Sequence, residues 1–376
     1  MRIRDVKIYA LSAPLSEPFA YSQGWVESRG ACIVEVIGED GTSGFGEAFG
    51  PPKPVAAIVA HYAPELIGSD AFATDEIWQR LYNRLRDHGR KGLPIEAQSA
   101  IDIALWDLKG RALGLPIYRL LGGPLRTRVQ AYATGFYRKR AGDPLKYLLE
   151  EAETRVASGF TAIKLKLGFG MEGDIALCRA VRKLVGENIT IMVDANHAYD
   201  ATAAIALGRQ IEDYRIAWFE EPVPPEDWQG YREIKAALKI PIAGGEAEFT
   251  RWGFRKLIAD RVLDILQPDT CAAGGISECK KIADMANAFG VRVNPHVWGT
   301  GIGMAAALQV LAVLPHNPPG LFPIEPVLEF DQSEHPFRME VLQEPIVQRN
   351  GWVEIPTAAG LGVEINRAAL ERFRME

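Results

Sequence analysis

Asp194, Glu220, Glu246, Asp269 and His296 each close or directly follow a short apolar run, and they stand 26, 26, 23 and 27 residues apart. A crossover takes at least ~10–12 residues and a complete βαβ unit ~30 or more, so this interval is one strand, one helix and two short loops. Side chains placed once per unit at successive strand ends collect on one face of a parallel barrel. That is the face on which such barrels carry their active sites. The interval therefore constrains fold and chemistry together.

A single (β/α) barrel takes ~250 residues, so a chain of 376 residues predicts a barrel plus a second, smaller unit. The first part reads as that unit. Alternating segments at Ile3–Ala10 and Ala31–Ile37 lead through Glu39-Asp40-Gly41, a hairpin signal, to the glycine-rich Gly44-Phe45-Gly46-Glu47. Helical spacing follows over Ala56–Leu66, Asp75–Leu85 and Ile95–Leu113, and strands followed by helices make an α+β module over residues 1–125.

From Arg128 the pattern alternates. Candidate strands are Val129–Thr134, Ala162–Lys166, Ile189–Asp194, Ile216–Phe219, Pro241–Ala243, Val262–Gln267, Val291–Asn294 and Phe322–Leu328, with helical stretches such as Ile175–Val185, Ala201–Ile211 and Ser277–Phe289 between them. Eight strands complete a barrel over residues 126–345. A strand pair is expected at Val347–Ile355, and the segment 346–376 is expected to return to the N-terminal module.

Composition narrows the function. A net charge of −6 and the lack of a Lys/Arg block argue against nucleic acid or an anionic membrane as partner. A small anionic substrate stays compatible, because a bound metal reverses the local field. Cys32, Cys178, Cys271 and Cys279 show no C-x-x-C spacing, which favours a reduced compartment. Met1–Ala10 mixes charges into its apolar positions, and no run approaches the ~20 apolar residues of a membrane span, so the expectation is a cytoplasmic protein.

Asp194, Glu220 and Glu246 are all oxygen donors, a set that favours Mg²⁺ over Zn²⁺. Glu221 directly follows Glu220, and strand alternation admits only one of them to the metal. Lys164 and Lys166 lie two apart on a strand and project to the same side. Their repulsion, with a metal near, is expected to lower the inner lysine's pKa and make it a usable base. Asp269 and His296 end adjacent strands, where a carboxylate–imidazole bond would orient a second base. His197, just past Asp194, is a candidate substrate contact; His61, His88, His316 and His335 are expected to lack partners. Glu329, if protonated, could donate to an oxyanion, with Glu325 as its competitor. Two bases across a metal suit removal of a proton α to a carboxylate, because the resulting enolate needs electrostatic stabilisation.

Lys164-x-Lys166, Asp194-Ala-Asn196, Phe-Glu220-Glu221-Pro222, Gly244-Gly245-Glu246, Asp269 and His296 together resemble the enolase superfamily, mandelate racemase subgroup, over essentially the whole chain. The resemblance implies a capping α+β domain over a (β/α)₇β barrel and one Mg²⁺ per subunit held by Asp194, Glu220 and Glu246. It also implies Lys166 as one base, the Asp269–His296 dyad as the other, and Lys164 on the substrate carboxylate. Within the subgroup, Asp194-Ala-Asn-His-Ala-Tyr199, Asn294-Pro-His-Val-Trp-Gly-Thr-Gly301 and Ile324-Glu-Pro-Val-Leu-Glu-Phe-Asp331 are similar to sugar-lactone cycloisomerases. Such enzymes remove the proton α to a free carboxylate and expel the ring oxygen, giving a 3-deoxy-2-keto-hexarate. Asn196, His197 and Trp298 become expected substrate contacts. Ser16–Arg29 is expected to be a capping loop over the substrate's distal end, with Phe19, Tyr21 and Trp25 as contacts. The expected partner is a small acid sugar or aldaronolactone, and exposed apolar residues on the capping helices suggest a homo-oligomer. An acid-sugar dehydratase, a racemase or epimerase, and a carboxylate-binding barrel without turnover are the competing readings.

Overall fold

The computed structural model describes all of residues 1–376. Three antiparallel strands open the chain: β1 (Ile3–Tyr21), β2 (Gly24–Gly38) and β3 (Ser43–Ala48). Tyr9, Leu11, Ala13 and Leu15 are buried at every second position of β1, the period of a strand with one face on a core. β1 runs well past Ala10. Pro14 and Pro18 cannot donate to the ladder, so the strand keeps going by slipping register between Pro14 and Phe19. Ser16–Arg29 is therefore a hairpin turned at Ser22-Gln23, not the loop expected from its sequence.

Helices α1 (Pro52–Leu66), α2 (Thr74–Leu85) and α3 (Leu93–Leu113) cover this sheet. The glycines of Gly44-x-Gly46 let β3 press against the α3 backbone: a Cβ would stand 2.2 Å from Ala104 O at Gly44 and 2.0 Å from Ala100 O at Gly46. Neither obstacle is a side chain that could turn away. Gly46→Ala is expected to destabilise the protein by about 3 kcal/mol or more, the upper end of overpacking costs. Urea unfolding checks this against Gly173→Ala, whose new Cβ meets nothing within 4 Å; equal stability of the two variants would refute the close-packing argument.

After the short α4 (Ile117–Leu120), parallel strands alternate with helices: β4 (Arg128–Thr134), α5 (Pro144–Ala157), β6 (Ala162–Lys166), α6 (Met171–Val185), β7 (Thr190–Asp194), α7 (Ala201–Ile211), β8 (Ile216–Glu220), α8 (Trp228–Ala237), β9 (Ile242–Gly244), α9 (Thr250–Ala259), β10 (Ile265–Leu266), α10 (Gly275–Ala288), β11 (Arg292–Val293), α11 (Gly301–Leu311) and β12 (Val327–Asp331). A two-residue strand, β5 (Arg138–Lys139), leaves the barrel to pair with β1 at Phe19 and Ala20. The curled sheet runs β11-β10-β9-β8-β7-β6-β4-β12, giving seven strand–helix units and a final strand.

Strand alternation sets the site. Tyr132, Ala162, Met192, Trp218, Ala243 and Ile265, one from each of six strands, form a plug inside the barrel. Two residues further along the same strands come Lys164, Asp194 and Glu220, still pointing inward but above that plug. Ile163, Leu165, Ile191, Val193 and Phe219 face the other way, into the main core with the helices.

Two expectations at the C-terminal end need correction. The eighth strand is Val327–Asp331, later than Phe322–Leu328, because Pro323 and Pro326 break the ladder; Leu321 and Phe322 lie in an exposed loop. Val347–Ile355 forms no full strand pair: β13 (Trp352–Glu354) instead pairs antiparallel with β4, and only an isolated bridge joins Arg349 to Trp352. The tail bonds to β1 through Ser12 N–H to Phe373 O and Met375 N–H to Ala10 O.

Candidate active site

Carboxylate oxygens of Asp194, Glu220 and Glu246 lie within 4.8 Å of one another. Asp194 and Glu220 end adjacent paired strands and are fully buried. Glu246 follows β9 and is the member that faces the cavity. Alternation fails just beyond these ends: Asn196 (φ 43°), His197 (φ 68°) and Glu221 (φ 42°) take left-handed backbone, which brings His197 Nε2 to 3.1 Å from Glu221 Oε2. Both Glu220 and Glu221 are consequently buried at the site, although strand periodicity admits only one.

The two lysines divide the acids between them. Lys166 Nζ lies 2.5 Å from Asp194 Oδ2 and 3.0 Å from Asn196 Oδ1. Lys164 Nζ lies 2.6 Å from Glu220 Oε1 and 2.7 Å from Glu329 Oε1. Burial works against both ammonium groups, but Glu220 and Glu329 beside Lys164, and Asp194 beside Lys166, outweigh it and raise both above the ordinary lysine value. These carboxylates crowd the lysines more closely than the lysines crowd each other, and the expected depression is one that a metal beside Asp194 would bring.

Asp194 is correspondingly held down at about 2, with the lysine charges overcoming burial. Glu220 goes the other way, to about 7: burial and the neighbouring Asp194, Glu329 and Glu246 exceed what Lys164 compensates. Burial, with Glu246, Asp194 and Glu220 alongside, pushes Glu221 well up. Five carboxyls thus share two ammonium groups in one pocket. That shortfall of positive charge, with three hard oxygens converging, fits a divalent cation of the Mg²⁺ type.

His296 Nδ1 is 2.6 Å from Asp269 Oδ2, and its Nε2 is 3.6 Å from Glu246 Oε2. Burial opposes the imidazolium, but Glu246, Asp269 and Glu329 raise His296 to about 10. Lys166 and His296 thereby flank the acid trio, one beside Asp194 and the other beside Glu246. Between them opens a cavity of about 750 Å³.

Tyr21, Trp25, Asn196, His197 and Trp298 line this cavity. Phe19 does not. It sits behind the wall, its ring 4.3 Å from that of Tyr137, because the register slip turns it into the layer under the hairpin. Lys164 also lies beneath the cavity, fully buried between Glu220 and Glu329, rather than open to a substrate carboxylate. Glu329 faces the site and Glu325 does not, the latter pairing with Arg126 and His316 at the other end of the barrel. Glu329 is held below the ordinary glutamate range by Lys164 despite burial, which works against the protonated state that donation to an oxyanion would need.

Sequence reasoning missed several residues of the wall. Tyr137 donates no bond to the acids but accepts from Trp298 Nε1 at 2.9 Å. Arg29 stacks 4.1 Å over Trp298 and is tied to Asp331 Oδ2 at 2.9 Å. His335, read as partnerless, is buried against this arginine cluster and depressed well below its ordinary value by burial and by Arg29 and Arg338. His316, likewise, has Glu325 at 2.9 Å. Glu47 and Phe49 enter from β3 and its exit. Of these, only Glu47 carried a sequence signal, the glycine-rich motif that precedes it.

Residues 3–122 match the mandelate racemase/muconate lactonizing enzyme N-terminal domain and residues 147–369 match the enolase C-terminal domain-like family. D-galactarolactone cycloisomerase of Agrobacterium fabrum is 46% identical over 375 residues, covering 100% of this chain and 99% of that one. The crystal structure of the 3,6-anhydro-D-galactonate cycloisomerase from Zobellia galactanivorans superposes with a TM-score of 0.91 at 38% identity, covering all of both chains. An L-talarate/galactarate dehydratase mutant liganded with Mg and L-glucarate superposes at 0.89 with 30% identity, covering 100% of this chain and 92% of that one. With both domain matches in sequence order and full-length relatives at this identity, the chain belongs to the mandelate racemase/muconate lactonizing enzyme family of the enolase superfamily.

Proposed function

We propose that the protein is a Mg²⁺-dependent sugar-lactone cycloisomerase, acting on D-galactarolactone or a close aldaronolactone. Asp194, Glu220 and Glu246 would hold the cation, which would offset the carboxylate field around Lys166 and supply Lewis-acid stabilisation of the negative charge that develops on the substrate.

The chain's own groups do the rest. Lys166, released from Asp194, takes the proton α to the free carboxylate. The C–O bond at the β carbon then breaks, and the electron pair of the C–H bond becomes the enol double bond. The departing oxygen belongs to an ester, so it leaves as a carboxylate and needs no proton. Tautomerisation to the 2-keto acid places a proton on the former β carbon, a task suited to His296, which is held as an imidazolium. Asp269 fixes its ring orientation. Atoms balance without water lost or gained, so product and substrate are isomers.

The observation that carries the lactone reading over a diacid dehydratase lies at the far end of the cavity. Besides Lys166 and His296, the only cationic side chain of the wall is Arg29; Asp331 balances its charge, its Nε and Nη2 engage the Glu334 carbonyl, Asp331 and Ser333, and its Nη1 is left without a partner. That Nη1 is a donor on a guanidinium whose charge Asp331 already balances, and an uncharged lactone carbonyl can accept from it. Sequence similarity to the Agrobacterium fabrum enzyme supports the same choice.

Incubation with aldarates and aldaronolactones plus Mg²⁺, read by product mass and deuterium uptake, is the test. The expected result is a product isomeric with the lactone and no turnover of galactarate. A product lighter by one water would make the protein a dehydratase.

A further inference from the structure

Strand β3 has two faces with different duties. Gly44 and Gly46 lie flat on α3, while Phe45 and Glu47 point toward the barrel. Glu47 is 2% exposed, and all its bonds run inward to the carboxylate. Oε1 accepts from Thr300 N at 2.8 Å; Oε2 accepts from Thr300 Oγ1 at 2.5 Å and from Gly303 N at 2.7 Å. The Thr300 hydroxyl oxygen itself accepts from Ile302 N at 3.0 Å, which leaves its proton for Glu47.

Thr300 is the N-cap of α11, and Gly303 is the third residue inside that helix. A capping box fills this third position with the helix's own Glu or Gln. Here the position is glycine, and a Cβ on it would stand 2.9 Å from Glu47 Oε2 and 2.8 Å from Cys271 Sγ. The capping carboxylate comes instead from a strand 253 residues earlier in the chain. The cap lies just past the loop that carries His296 and Trp298.

The same strand exit reaches the other half of the dyad. Phe49 N–H donates to Cys271 O at 3.1 Å, and the Phe49 ring stands at 89° to the His296 imidazole, 5.4 Å away. Cys271 N–H in turn donates to Asp269 Oδ1 at 2.6 Å, leaving Oδ2 for His296. One segment of the capping sheet thus grips both loops whose spacing defines the Asp269–His296 bond.

We propose that Glu47 is a positioning residue: a helix cap supplied from the N-terminal sheet that, together with the Phe49–Cys271 bond, holds the His296 loop against Asp269. Its consequence for turnover rests on the dyad acting as proposed above; its consequence for geometry does not. Glu47→Gln keeps shape but turns an amide N–H₂ toward groups that are themselves donors. The reporter is the Nδ1 proton between His296 and Asp269, followed by NMR in protein labelled with ¹⁵N-histidine and assigned by its absence in His296→Asn. In Glu47→Gln this signal is expected to shift or broaden while calorimetric Mg²⁺ binding stays unchanged. Turnover should fall roughly 10–100-fold, as for other supporting residues, in kcat more than in KM. Glu47→Asp, which retains the charge on a shorter arm, should recover part of the loss. If Glu47→Gln fails to fold, Thr300→Val removes the same hydroxyl bond and is expected to move the same signal. An unperturbed dyad signal in the folded variant overturns the proposal. A perturbed signal with undiminished turnover upholds the clamp and removes His296 from the mechanism.

Discussion

Glu246→Gln is expected to abolish turnover and to remove the heat of Mg²⁺ binding seen by calorimetry with the unaltered protein. Glu246 is the acid of the trio that faces the cavity, whereas Asp194 and Glu220 are buried and already paired with lysines. Gln preserves volume and one oxygen but removes a charge from the only carboxylate of the three without a lysine partner. The loss should exceed the ~10–100-fold that supporting residues around a metal cost. Folding is not at risk: removing one of several crowded negative charges relieves repulsion, so the variant should unfold at the same temperature as the parent or above it. That control separates a lost ligand from a lost fold. Full activity of the unaltered protein after exhaustive chelation would end the metal reading altogether.

The acids were legible in sequence because they sit where two periods coincide. One is the βα repeat that brings Asp194, Glu220 and Glu246 to the same rim; the other is the two-residue period that turns Asp194 inward above Met192 and Glu220 inward above Trp218. Both are local and can be read without knowing what lies opposite. Readings that depended on the opposite side fared differently. Neither Lys164 standing 2.7 Å from Glu329 nor Asp194 standing 2.5 Å from Lys166 could be read from spacing along one strand. Charge balance in a pocket is a sum over strands that are far apart in the chain, and residue spacing along one strand carries no information about it.

Register was the second blind spot. Alternation was read only over Ile3–Ala10, and with Ser16–Arg29 taken as a capping loop Phe19 became a loop residue over the substrate. The strand survives by a slip instead, and Phe19 is packed behind Tyr137. Tyr21 and Trp25, nearer the hairpin tip, do reach the cavity. The tip is also tied to the barrel: Ser22 Oγ donates to Ala195 O at 2.7 Å and Gln23 Nε2 to Asn196 O at 2.7 Å. The capping sheet therefore touches the very turn that follows Asp194, as well as the dyad loops through Glu47. Two of the site's walls are held by a part of the chain that contributes none of its chemistry.

Loss of either proposed base should be nearly as costly as loss of the metal, and the pattern of loss should tell the two apart. Lys166 ends β6 and His296 follows β11, five steps away along the hydrogen-bonded order of the sheet, with the acid trio between them. A carboxylate held over the trio presents its α carbon to both, from opposite sides, so each side chain meets one configuration. A substrate of fixed stereochemistry then has one base that starts the reaction and one acid that completes it. Lys166→Ala should lose α-proton exchange with deuterated water together with turnover, by the ~10²–10⁴-fold typical of a general base. His296→Asn keeps a polar group near Asp269 but cannot deliver a proton; it should retain exchange in recovered substrate while product formation falls by a similar factor. Magnesium binding must be confirmed in both, since Lys166→Ala strips Asp194 of its closest partner. Exchange lost in His296→Asn and kept in Lys166→Ala would interchange the roles. Turnover undiminished in both would mean that the cavity between these residues is not where the chemistry occurs.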